Sequence, residues 1–169
     1  MNIEVTSLER LGEELTDDVA SVVSICDVGT DPDPEVEFGD RFVLELRFDD
    51  HESDKWDHAP TVEDVQKIVD AFEELEKQKG TTLIHCHGGT CRSTATAFVL
   101  KAMELGPGKE KEAAEWVMET FPWAIPNLLI CKIADDLLER GGALFDAIFS
   151  FDPEMDRRAL EGKRIDDFK

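Results

Sequence analysis

Thr82-Leu83-Ile84-His85-Cys86-His87-Gly88-Gly89-Thr90-Cys91-Arg92-Ser93-Thr94 reads as strand, loop and helix in succession. Thr82, Leu83 and Ile84 are a short β-favouring run, and Gly88-Gly89 interrupts it. Ala95, Ala97, Phe98, Val99, Leu100 and Met103 then continue as an apolar helix. Cys86 therefore stands at the end of the strand. A loop passing from a strand into a helix N-terminus turns several backbone N–H groups toward one point and adds the positive end of the helix dipole, which makes it a cradle for an anion. His87, Gly88, Gly89, Thr90, Cys91 and Arg92 are expected to line that cradle. The glycines permit a close backbone approach, and Arg92 can return a planar fork to two phosphate oxygens. The same field acts on Cys86. A thiol at a helix N-terminus beside a guanidinium is expected to fall from ~8.5 into a range of roughly 3.5–7.5, giving a thiolate nucleophile at neutral pH. Ser93 can donate a hydrogen bond to that thiolate and help it leave.

A Cys and an Arg separated by five residues form a weak motif on their own, and a buried Cys with a salt-bridged Arg would produce it too. The context is what gives it weight: His before the Cys, Gly in the loop, Ser-Thr after the Arg, a strand before and a helix after. At these residues the sequence resembles the cysteine-based protein tyrosine phosphatase superfamily. Its signature, H-C-x-x-G-x-x-R-S/T, is matched by His85, Cys86, Gly89, Arg92 and Ser93. The length is similar to the compact dual-specificity branch or its small microbial relatives. Phe121-Pro122-Trp123-Ala124-Ile125-Pro126-Asn127, followed by an Ala-Asp-x-Leu-Leu helix, also looks like the C-terminal part of small microbial tyrosine phosphatases. The resemblance spans residues 20–147 and is strongest at 82–98.

The resemblance implies a phosphomonoesterase that needs no metal or cofactor and acts on phosphoproteins. Cys86 would be the nucleophile, with Arg92 and Ser93 assisting and His85 in support. It also implies a general-acid Asp just after a strand, roughly 30 to 40 residues before the nucleophile. Asp50, 36 residues before Cys86, fits best, with Asp49 and Asp54 as alternatives. Two loop residues depart from common versions of the signature. His87 either touches bound phosphate or is an exposed histidine without a role, and Cys91 could close a reversible disulfide with Cys86, at the risk of strain. No Lys lies between Cys86 and Arg92, so the extra positive charge expected for highly phosphorylated lipid or inositol substrates is missing.

Outward from the motif, the chain reads as a three-layer α/β/α domain with a central, mostly parallel sheet. Residues 3–5 suit a short edge strand and 7–15 a first helix, with Leu8, Leu11 and Leu15 on one face. Residues 20–26 are a β-branched run ending at Cys26, a core residue, and 27–40, with Gly29, Pro32, Pro34 and Gly39, are a surface loop. Phe42, Leu44, Leu46 and Phe48 alternate along a strand that ends in the polar loop 49–58. In a parallel sheet, loops at the carboxyl ends of strands converge on one site, so this loop and the Cys86 loop are expected to face one another. Trp56 within it suits core packing better than a cap or a substrate contact. Thr61 and Asp64 form a capping box before a helix reaching Lys79, and further helices are expected over 109–121, from Pro126-Asn127 to Gly141-Gly142, and over 143–151. Cys131 on one of them is core. Residues 1–150 form one phosphatase-like domain, and 151–169 a charged C-terminal tail.

The chain carries 39 acidic against 18 basic residues, a formal net charge of -21. Such a charge repels nucleic acid and anionic membrane, and it suits adaptation to high intracellular salt, where screening removes the self-repulsion. No run approaches 18 consecutive apolar residues, and the first residues show no basic region followed by an apolar stretch, so no membrane span or export signal is expected. The four cysteines, at 26, 86, 91 and 131, fit neither a zinc site nor a disulfide framework, and a thiolate enzyme needs a reducing compartment, which points to the cytoplasm. The sequence leaves oligomeric state open. Three other classes share a Cys-headed anion loop. A rhodanese-like sulfur transferase would not need the acid loop, an arsenate reductase would need shuttle cysteines, and a phosphopeptide-binding module would hold phosphate without releasing it.

Overall fold

The protein, a computed structural model, is described over residues 1–151. The expected tail, apart from its first residue, lies outside the described residues. Four strands, β1 (Asn2–Ser7), β2 (Val19–Cys26), β3 (Phe42–Arg47) and β4 (Thr81–Cys86), form one sheet in the order β1-β4-β2-β3, and every pairing is parallel. The expected mostly parallel sheet is thus parallel throughout. Being central, β2 and β4 are buried on both faces and carry near-continuous apolar and β-branched sequence, as strands covered on both sides must. Val22 and Leu83 point to one face, where Leu11, from the short α1 (Leu11–Glu14), completes a small cluster. Val23, Ile25 and Ile84 point to the other and meet the main core.

That main core is built under α2 (Val62–Lys77), α3 (Arg92–Leu105), α4 (Glu110–Thr120), α5 (Leu128–Leu137) and α6 (Ala143–Phe149). The capping box anticipated before α2 is present, Asp64 N–H donating to Thr61 Oγ1 and Thr61 N–H to the Asp64 carboxylate. α3 is buried at every position from Arg92 to Leu100, so the loop preceding it is held at a fixed height over the carboxyl ends of β2, β3 and β4.

Two sequence expectations are corrected. The helix expected over 7–15 is confined to α1: Ser7 is the last residue of β1, paired with Cys86, Leu8 N–H donates to the Cys86 carbonyl at 2.8 Å, and residues 8–10 form a turn closed by Arg10 N–H on the Ser7 carbonyl before the helix begins at Leu11. The shared face of Leu8, Leu11 and Leu15 is real, since all three belong to the small cluster. Trp56 is no core residue; it is 65 % exposed and stacks on His51 at a centroid distance of 5.8 Å.

Candidate active site

β4 delivers Cys86 to its carboxyl end, and α3 begins at Arg92. Between them the loop's carbonyls are engaged by donors within and around it. The Cys86 carbonyl accepts from Leu8 N–H, that of Gly88 from Thr90 Oγ1, that of Thr90 from Ile125 N–H, and that of Cys91 from Asn127 N–H and Ala95 N–H. A trans peptide unit sets its N–H opposite its carbonyl, so the N–H groups of His87, Cys91 and Arg92 are directed away from the Leu8, Ile125 and Asn127 donors. Gly89 makes the wrap possible. It sits at φ +69°, and a Cβ there would meet the Thr6 carbonyl at 2.8 Å, so neither the backbone angle nor the space admits a side chain.

Cys86 is only 1 % exposed and forms the floor of the site. Its Sγ lies 3.2 Å from Ser93 Oγ, within hydrogen-bond reach of the hydroxyl. Arg92 is 2 % exposed yet carries a full charge at the positive end of a helix, a place that disfavours a cation. Its compensation is local. Burial acts against the guanidinium, but Cys86, Asp50 and Asp27 outweigh it and hold the Arg92 pKa above its usual value. Nη1 lies 2.6 Å from the Phe48 carbonyl and 2.6 Å from Asp27 Oδ1. Nε is buried without a hydrogen-bond partner, although Asp50 Oδ2 stands 4.0 Å away. A buried, charged donor left unmatched is costly, and an oxyanion in the cradle would satisfy it.

Of the three acid candidates, Asp50 is the one beside Arg92. Its Oδ1 accepts from Asn127 Nδ2 at 2.8 Å, and its side chain remains about one-third exposed, open to a leaving group and to water. Asp49 is turned away, its Oδ1 accepting from Val28 N–H at 3.0 Å, and Asp54 lines a neighbouring cavity. The structure therefore brings together Cys86, Arg92, Ser93 and Asp50. His87 is half-exposed beside Asp27, its Nδ1 4.0 Å from Asp27 Oδ2. Burial, and after it the Asp50 and Cys86 charges, push the Cys91 thiol far up, so it stands as a neutral thiol at the head of α3.

Two residues of the site escaped the sequence reading. Asn127, fully buried, caps α5 through Oδ1 to Ile130 N–H, donates its amide to Asp50 and to the His51 carbonyl, and gives its own N–H to Cys91 of the loop. One residue thus joins the Cys86–Arg92 loop to the Asp50 loop. A Pro-Asn helix opening was visible, but its reach across to residue 50 was not. Asp27 carried no signal beyond following a strand.

His85 sits wholly inside the sheet, its Nε2 2.8 Å from Ser24 Oγ across the β2–β4 pairing. Burial, with Arg47 and Arg92 adding to it, lowers its pKa from 6.5 to about 4. The folded state therefore keeps His85 neutral where the unfolded chain takes up a proton. Stability from this residue is complete above pH 6.5 and is lost as the pH falls from 6.5 toward 4, by on the order of 3 kcal/mol in all. Urea unfolding at pH 7.5 and 4.5 should show wild type losing ~2–3 kcal/mol more than His85→Gln over that interval. The other titrating carboxylates act on both proteins alike, so parallel losses would contradict the assignment.

A cavity of about 720 Å³ adjoins the site behind Phe48, with Val28, Trp56, Leu129 and Ile133 among its walls. Cys86, Asp50 and Arg92 are not part of it.

No protein-family model matches the chain, and no curated protein matches it in sequence. Solved structures do match. Tk-PTP in its active form is 23 % identical, with a TM-score of 0.62 over 83 % of this chain and 93 % of that one. Human DUSP28 is 19 % identical, with a TM-score of 0.64 over 83 % and 94 %. A human tyrosine phosphatase-like serine/threonine/tyrosine-interacting protein is 13 % identical, with a TM-score of 0.63 over 80 % and 90 %. The fold of this chain is that of the tyrosine and dual-specificity phosphatases, as the signature at 85–93 led one to expect.

Proposed function

We propose that the chain is a cysteine-dependent protein phosphatase that hydrolyses phosphotyrosine, and phosphoserine or phosphothreonine where they reach the loop, through a phospho-cysteine intermediate. The observation that carries this reading is the buried Arg92 Nε without a hydrogen-bond partner, set in the same loop as a Cys86 Sγ only 3.2 Å from Ser93 Oγ. In the first step Cys86 Sγ bonds to phosphorus as the P–O bond to the leaving group breaks. Asp50 gives its proton to the departing oxygen. Arg92 and the loop N–H groups bear the charge on the equatorial oxygens. In the second step Asp50 takes a proton from water, whose oxygen attacks phosphorus, and the thiolate leaves toward Ser93 Oγ. The exposed Val28, Trp56 and Val62 around the neighbouring cavity favour a polypeptide substrate over a small ester.

The substrate is a dianion and the protein carries -21, so attraction at low salt is confined to the loop's own field. We read the charge as adaptation to molar salt and place the enzyme in the reducing cytoplasm. Among the described residues no helix is long and apolar enough to cross a membrane.

The test is aryl phosphate hydrolysis, with chelator present, at low and at molar salt, by wild type and Asp50→Ala. A general acid contributes ~10²–10⁴-fold, and it contributes most where the leaving group is poor. Asp50→Ala should therefore cost roughly a hundredfold or more on phenyl phosphate and much less on a nitrophenyl ester, whose leaving group needs little proton donation. Equal losses on both esters would remove Asp50 from the acid role. Phosphate bound but never released would favour the binding-module reading, and turnover abolished by chelator would sink the thiolate mechanism.

A further inference from the structure

We propose that Asp27 is a positioning residue for the oxyanion site: it holds the Arg92 guanidinium so that its Nε–Nη2 edge faces the loop. The assignment rests on reading the Cys86–Arg92 loop as an oxyanion site, and not on turnover.

Asp27 follows the last residue of β2, where the Phe48 N–H donates to the Cys26 carbonyl at 3.1 Å and continues the β2–β3 ladder by one residue. That bond places the Phe48 carbonyl and the Asp27 carboxylate side by side at the carboxyl end of the sheet. Both are directed at one nitrogen, Nη1 of Arg92, each at 2.6 Å. Nη1 has two hydrogens, and these two acceptors take both. The guanidinium is planar, so fixing Nη1 fixes the plane and leaves Nε and Nη2 as a parallel pair of donors, the geometry that grips two oxygens of a phosphate. Asp27 is itself held in place. Its carbonyl accepts from Thr30 N–H at 2.9 Å, and the next residue, Val28, donates its N–H to Asp49 of the acid-loop strand end.

Asp27 is also an anion beside a site for anions, and this makes the sign of its effect diagnostic. As a mere neighbouring charge it repels phosphate, and removing it tightens binding. As a positioning group it must be present for Arg92 to aim, and removing it weakens binding although a repulsion is relieved. Asp27→Asn separates the two, because its amide oxygen still accepts from Nη1 while the charge is gone.

The experiment is calorimetric binding of inorganic phosphate to wild type, Asp27→Ala and Asp27→Asn, with KM and kcat for an aryl phosphate measured alongside. Asp27→Ala should weaken phosphate roughly tenfold or more, the worth of one charge-assisted hydrogen bond, and raise KM in step. Asp27→Asn should bind phosphate as tightly as wild type or tighter. Should the Ala variant misfold, Asp27→Glu, whose carboxylate is displaced by one methylene, takes its place with the same expectation. Asp27→Ala binding as well as wild type, or Asp27→Asn doing no better than Ala, overturns the assignment. Phosphate bound by wild type without any turnover removes the phosphatase reading and leaves this one standing. Normal turnover with an indifferent Asp27→Ala removes this one alone, and wild type that binds no phosphate in the millimolar range overturns both.

Discussion

Cys86→Ser is expected to lower aryl phosphate turnover by ~10⁴-fold or more while leaving fold and phosphate affinity close to those of wild type. The exchange of sulfur for oxygen at a fully buried position removes little volume, and the loop is held by backbone hydrogen bonds to Leu8, Ile125 and Asn127 that do not involve the side chain. What changes is the chemistry. A hydroxyl holds its proton several orders of magnitude more tightly than a thiol, and in the first step the one carboxyl of the mechanism, Asp50, is protonated for the leaving oxygen and takes no proton from the hydroxyl. Ser93 Oγ, 3.2 Å away, is a hydrogen-bonding partner with no capacity to remove a proton at neutral pH. His85 does not serve either: it is inside the sheet, bonded to Ser24. The variant should therefore bind phosphate and aryl phosphate yet release nothing, and no covalent phosphorylated protein should be trapped on acid quench. Turnover retained within a hundredfold would mean that phosphorus is attacked by something other than Cys86. Loss of phosphate affinity together with turnover would show instead that the loop had collapsed, which circular dichroism and unfolding curves on the same preparation would reveal.

The part of this site that a sequence can display is the part that is local. Strand, glycines, arginine and serine lie within one short run, and each demand of a phosphate loop could be checked there. The proposed acid was legible only as one of three neighbouring aspartates, because a loop's carboxylates are told apart by where the loop folds. Asp49 is consumed by Val28 N–H and Asp54 faces the adjoining cavity, which leaves Asp50 on Arg92. Asp27 was hidden for a different reason. It sits in a stretch whose Gly and Pro content marks a surface loop, and only the parallel register of β2 against β3 sets it beside the Phe48 carbonyl. Asn127 showed its capping role but not its second one, since helix caps are local and the reach to Asp50 is tertiary. Trp56 illustrates the converse, a large aromatic assigned inward on composition alone, in a loop with no periodicity to say which way it points.

Arg92→Lys should cost ~10²–10⁴-fold in kcat/KM, the range expected when an oriented donor to the transition-state oxygens is lost, although the formal charge is unchanged. The geometry explains why charge does not suffice. Arg92 must satisfy two demands at once: Nη1 answers the Phe48 carbonyl and Asp27, and Nε with Nη2 remains for phosphate. An ammonium has a single nitrogen. Drawn toward Asp27 and the Phe48 carbonyl, it satisfies the scaffold and leaves the cradle without its fork; drawn toward phosphate, it leaves a buried carbonyl and a carboxylate unmatched. Either way one of the two sets of partners is abandoned. The loss should fall more on kcat than on KM, because the equatorial oxygens gain charge and shift position as the P–O bond breaks, and a rigid fork follows that change better than a point charge on a flexible stem. Molar salt should not restore the activity, since screening acts on the surface charge and not on a pair of donors that is 2 % exposed. Activity of Arg92→Lys within tenfold of wild type would show that the positive charge alone carries the stabilisation, and the positioning of the guanidinium by Asp27 would then have nothing left to act upon.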